Sequence, residues 1–165
     1  MIGEPKLEDR PEQPYAGIRT QTRIRAFPRV IPTLLDEIFD WLGEHDITPA
    51  GPPFMRYHVI NMATQLDVEL GVPVAKPITG DDRVKAGTLP AGKYAALVYT
   101  GSQNGIEGNK ALLDWGRANG LRWDRWDDPN GDAFRSRVEF YLTDPDDEPD
   151  PAKWETEVAI LVAEV

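Results

Sequence analysis

The second half of this chain rereads the first, and that repetition limits its folds more than any other feature. At an offset of 79, Lys6, Pro11, Tyr15 and Ala16 meet Lys85, Pro90, Tyr94 and Ala95. At an offset of 74, Ile38, Phe39, Asp40, Trp41 and Ile47 meet Leu112, Leu113, Asp114, Trp115 and Leu121. At an offset of 88, Glu69 to Val74 meet Glu157 to Val162. Each match is weak alone, but three in the same order argue for a duplicated unit, residues 4–79 and 81–165, whose copies differ by loop insertions.

Periodicity gives each copy the order strand, helix, strand, strand. In the first, Tyr15–Arg25 reads as a strand and Val30–Asp46 as a helix, with Leu34, Leu35, Ile38, Trp41 and Leu42 at helical spacing and Pro32 in its first turn. Phe54–Ile60 and Gln65–Val74 follow as strands. In the second copy the strand Lys93–Thr100 and the helix Gly108–Asn119 lead to two apolar runs, Arg137–Leu142 and Trp154–Val162, each carrying an acidic residue. The acidic, proline-rich loop between these runs makes them an antiparallel pair. The expected class is α+β: duplicated β-α-β-β units form an antiparallel sheet with helices on one face, leaving a ligand cleft at the pseudo-twofold. Side chains alternate along a strand, so matching the apolar faces would put Glu139 and Glu157 on one face, with Glu69 also pointing toward the cleft.

Composition narrows the partners. A chain of 165 residues with net charge −10 repels phosphate backbones and anionic membranes, so a small-molecule ligand is expected and nucleic acid and membrane are not. Cysteine is absent, which excludes thiolate metal sites and disulfides. The only histidines, His45 and His58, have no metal-ligand neighbours at helical or strand spacing, so neither metal nor cofactor is expected. No nucleophile elbow or phosphate loop occurs. The amino end is charged, with no apolar run, and no stretch suits a bilayer span, which makes a cytoplasmic protein the expectation.

Several tracts in order resemble one known family. They are Gly51-Pro52-Pro53-Phe54 followed by Tyr57; Asp67-Val68-Glu69 with Gly71-Val72-Pro73-Val74; Leu89 to Ala95; and Val138-Glu139-Phe140-Tyr141 with Glu157 before an apolar strand. Together they resemble the GyrI-like superfamily, the effector-binding domains found fused to AraC- and MerR-type regulators and also as stand-alone proteins. The resemblance implies the duplicated fold with its ligand cleft, and it matches Glu139 to the acidic residue that faces cationic aromatic compounds in drug-sensing members. Arg56 departs from the family's tract, where a small or apolar residue is usual, and counts against cation selectivity.

The expected site therefore comprises Phe54, Arg56, Tyr57, Glu69, Trp126, Glu139, Tyr141 and Glu157. One of Trp123 and Trp126 lines the cleft and the sequence does not choose between them. The leading expectation is a binding protein for a hydrophobic, in particular a cationic, drug or natural product. A second is a hydrolase of electrophilic cyclopropane-containing DNA-alkylating compounds, with Glu139 and Glu157 as the catalytic carboxylates. A third is an interaction protein that acts on a macromolecular target as gyrase-inhibiting relatives do.

Overall fold

The computed structural model describes residues 1–164 of the chain. Its elements run β1 (Lys6–Arg10), β2 (Gln13–Thr22), α1 (Phe27–Glu44), β3 (Phe54–Ile60), β4 (Leu66–Pro73), β5 (Lys85–Leu89), β6 (Gly92–Thr100), α2 (Gly105–Ala118), β7 (Arg125–Asp128), β8 (Gly131–Phe134), β9 (Arg137–Tyr141) and β10 (Glu155–Leu161). The antiparallel path β1-β6-β10-β9-β3-β4-β2-β5 reads the same from either end once corresponding strands are exchanged. The edge strands cross over: β1 leads into β2 yet pairs with β6, while β5 leads into β6 yet pairs with β2. Registers correspond residue for residue, with Lys6 opposite Ala96 where Lys85 is opposite Gly17. Similarly, Val158 lies opposite Leu97 where Leu70 lies opposite Ile18.

The two halves meet at β3 and β9, where Met55 lies opposite Glu139. Helix α1 packs over β2 and β4, burying Leu34, Ile38, Trp41 and Leu42, and α2 packs over β6 and β10 through Gly108, Leu112 and Gly116. Each buried aliphatic side chain on these faces contributes roughly 1.5–3 kcal/mol. The central strands thus form the floor of a crevice between two helices on the same side of the sheet. Helix α1 begins earlier than its periodicity suggests, at Phe27 after a 3-10 turn, so Pro28 takes the first-turn place and Pro32 falls inside the helix. No helix among the described residues is long and apolar enough to cross a membrane.

The helix-free side of the sheet is also buried. Tyr15, Phe54, Leu89, Val138 and Phe140 form one cluster there, and Tyr94, Ala96, Ala159 and Leu161 another. This second apolar face corrects the expected placement of the carboxylates. Val158 pairs with Glu139 and Glu157 with Phe140, so Glu139 and Glu157 point to opposite faces. Val138 and Phe140 were expected to mark the core side, but they pack away from the helices, and Glu139 therefore points between them.

Candidate functional site

The crevice floor is built by alternation on two central strands. Met55 and Tyr57 of β3 and Arg137, Glu139 and Tyr141 of β9 share the helix-bearing face. Tyr57 donates a 2.8 Å hydrogen bond to Glu139 Oε1. The Tyr99 hydroxyl, from the end of β6, donates to Oε2 at 3.4 Å. Gly108 makes the approach of Tyr99 possible: a Cβ there would lie 2.5 Å from the tyrosine ring, so only a bare backbone lets the ring lie against α2. Phe27, at the start of α1, closes the opposite side, its ring centroid 6.5 Å from that of Tyr57. Tyr57 and Tyr99 are buried, while Glu139 and Tyr141 keep partial access to solvent. The result is one carboxylate among three tyrosines.

Burial raises the Glu139 carboxyl above its ordinary value, against the pull of the Tyr57 hydroxyl, the charge of Arg137 and hydrogen bonding from Asn109 and Tyr99. Burial likewise raises the phenols of Tyr57, Tyr99 and Tyr141, each reinforced by the Glu139 charge, so they remain neutral donors. The Tyr141 hydroxyl is buried and has no hydrogen-bond partner among the described residues. Arg137 stacks its guanidinium on Phe134 at 4.8 Å and on Tyr57 at 6.0 Å from the ring centroids. It donates to Asn109 Oδ1 at 2.9 Å, and burial lowers its pKa.

Of the expected residues, Tyr57, Glu139 and Tyr141 come together here, while Phe54, Arg56, Glu69 and Glu157 lie on the other face. There Glu69 Oε1 accepts from the Tyr15 hydroxyl at 2.6 Å and contacts His58 Nε2 at 2.8 Å. The Arg56 guanidinium donates to the Tyr15 hydroxyl at 2.9 Å and to the Arg135 carbonyl at 2.7 Å. Burial works to raise the Glu69 carboxyl, but hydrogen bonds from His58 and Tyr15 and the nearby positive charges bring it below the ordinary range. Arg56 is thus a structural clasp remote from Glu139, and its charge does not enter the crevice. Phe54 is fully buried, edge-on to Tyr15 at 5.0 Å.

Glu157 accepts from Arg10 at 2.8 Å, and Arg10 also bonds Glu8 and lies over the Tyr94 and Phe140 rings. Arg10, Tyr94 and Phe140 border a cavity of about 250 Å³, which Gln13, Pro52 and Val138 also line and which is smaller than most ligand pockets. Trp126 is 51% exposed on the β7–β8 hairpin, and Trp123 packs into the second-half core against Gly116, so neither tryptophan lines the crevice. The sequence reading omitted Tyr99 and Arg137. Alternation within their own strands pointed to both, since Tyr99 shares a face with Leu97, and Arg137 with Glu139.

Residues 3–163 match the family model described as the GyrI-like small molecule binding domain. Among solved structures, the C-terminal domain of EcmrR aligns over 100% of both chains at 20% identity, with a TM-score of 0.79. In the EcmrR–DNA complex, also at 20% identity and with a TM-score of 0.78, the alignment covers 98% of this chain and only 58% of the EcmrR chain. The structure of SAV2435 bound to tetraphenylphosphonium aligns over 97% of this chain and 94% of its own, at 12% identity and a TM-score of 0.59. A hydrolase from Listeria innocua aligns over 97% and 92%, at 14% identity and 0.64. At these identities the likeness is one of fold. No curated protein sequence is significantly similar to the chain.

Proposed function

The chain belongs to the family of GyrI-like small-molecule-binding domains, and on that premise we propose that it holds a hydrophobic organic cation in the crevice between α1 and α2, with Glu139 as counter-charge. One observation carries the proposal: a partly desolvated carboxylate at the sheet centre is ringed by Tyr57, Tyr99 and Tyr141. Aromatic faces attract a cation more strongly once water is excluded, and the carboxylate regains in ion pairing what burial costs it. The tetraphenylphosphonium held by the fold relative SAV2435 is a cation of this kind and a suitable probe.

The alternative of a paired-carboxylate hydrolase finds less support, because Glu139 and Glu157 are on opposite faces of the sheet. A target-binding role resembling the gyrase inhibitors has no specific feature in its favour. The net charge of −10 argues against a phosphate backbone as a direct partner of this domain, and a mobility-shift assay with duplex DNA tests that point.

Calorimetric titration with tetraphenylphosphonium tests the main proposal. The parent protein should bind, and Glu139→Gln should lose roughly 2–5 kcal/mol of affinity, the usual result of removing one partner of a desolvated charge pair. Equal affinity in the two proteins would remove Glu139 from the site.

A further inference from the structure

Resting on that proposal, we infer that the Arg137 guanidinium is the protein's own occupant of the cation seat, and that the ligand is a planar, charge-delocalised aryl cation bearing N–H groups, such as an aryl guanidinium or amidinium, which takes its place. The seat is visible in what Arg137 touches: the Phe134 ring at 4.8 Å, the Tyr57 ring at 6.0 Å and the Asn109 Oδ1 acceptor at 2.9 Å. A flat delocalised cation stacks on such rings and presents its N–H groups in the ring plane. The acceptors nearby suit it. Asn109 Oδ1 already takes an N–H, and the Glu139 carboxylate lies on the same face.

Arg137 is also held loosely enough to leave. Asn109 is its one hydrogen-bonded side chain among the described residues, and its Nε is buried without a partner. The contrast is Arg10, which also lies over two aromatic rings but is fixed by Glu8 and Glu157. Asp132, on the β7–β8 hairpin, pairs with Arg125 at 2.8 Å and has a side chain 60% exposed, so a displaced guanidinium would share that carboxylate with Arg125 at the surface. While Arg137 stays in place, its charge opposes a second cation beside Glu139. Arg137 thereby sets both the specificity of the crevice and the threshold for entry.

The test titrates the parent, Arg137→Met and the double variant Arg137→Met/Glu139→Gln with phenylguanidinium and with tetraphenylphosphonium. Arg137→Met should bind phenylguanidinium at least tenfold more tightly than the parent does, with a smaller gain for the non-planar phosphonium, and the double variant should lose the gain. If Arg137→Met does not fold, Arg137→Gln, whose amide can still bond Asn109, replaces it with the same expected direction. A parent that binds tetraphenylphosphonium through Glu139, alongside an Arg137 variant no tighter for phenylguanidinium, overturns this inference alone. Failure of every form to bind either cation overturns the proposed function and this inference with it.

Discussion

Removing a single oxygen, in Tyr57→Phe, isolates the bond on which the crevice depends. The ring volume is unchanged, so its packing against Phe27 survives, and what disappears is the 2.8 Å hydrogen bond to Glu139. A hydrogen bond to a charged group is worth about 1.5–3 kcal/mol, and a neutral one about 0.5–1.5. The raised carboxyl means that the folded protein retains a proton that the unfolded chain has released, so stability falls as pH rises from the ordinary carboxylate range through the folded value. The lost bond favoured the anion, so in the variant this fall should extend to higher pH. Tyr57→Phe should therefore cost about 1.5–3 kcal/mol at pH 8 and noticeably less at pH 4. For a chain of this size that is a drop of roughly 3–12 °C in melting temperature at the higher pH. Urea unfolding at a series of pH values measures it. A loss independent of pH, or no loss at pH 8, would mean that the hydroxyl does not serve an ionised carboxylate.

Two further expectations probe the frame around the site. Glu69→Ala strips the clasp on the helix-free face and leaves the Tyr15 hydroxyl and His58 short of a partner, which should cost about 3–5 kcal/mol at neutral pH while leaving tetraphenylphosphonium affinity within twofold. Because the Glu69 carboxyl is lowered by folding, its contribution is present above the unfolded value and should fade as pH falls through the folded one, which acid titration of the parent and the variant would reveal. Gly116→Ala sets a Cβ 2.3 Å from the Trp123 ring and should cost about 1–3 kcal/mol, whereas Gly43→Ala, with nothing within 4 Å, should gain about 0.5–1; thermal melts compare the two.

Much of the scaffold was legible in the sequence. Phe54–Ile60 was read with the bounds that β3 has, and both helices and the last two strands were found within a few residues of their ends. β1 and β5 could not be read, because KLEDR and KAGTL are exposed edge segments without apolar alternation, held by backbone pairing to strands about 90 and 70 residues away. The face assignment failed for a different reason. Alternation states which residues share a face, and in a sheet buried on both sides it does not state which face carries the helices. Val138 and Phe140 therefore drew attention to the wrong side, and Glu69 and Glu157, equivalent to each other, were grouped with Glu139, which is equivalent to neither.

The strand registers explain why Glu139 stands apart. They make Tyr57 the counterpart of Tyr141 and Met55 the counterpart of Glu139, so the crevice floor is symmetric in its tyrosines and asymmetric in its charge. The walls differ in a compensating way. Leu34 on its helix and Thr20 on its strand correspond in sequence to Gly108 and Tyr99 of the second half, where the bare glycine admits the tyrosine ring and side-chain volume sits on the strand instead of the helix. That exchange brings a second hydroxyl to the carboxylate, beside that of Tyr57. A duplicated unit accounts for the shared frame, and the site arises where the copies differ: Glu139 for Met55, Tyr99 with Gly108 for Thr20 with Leu34, and Arg137 for Pro53. A symmetric pair of carboxylates at the axis would repel one another in a desolvated crevice, a repulsion that the single Glu139 avoids, and the charge of Arg137 on the same face offsets part of what burial costs it.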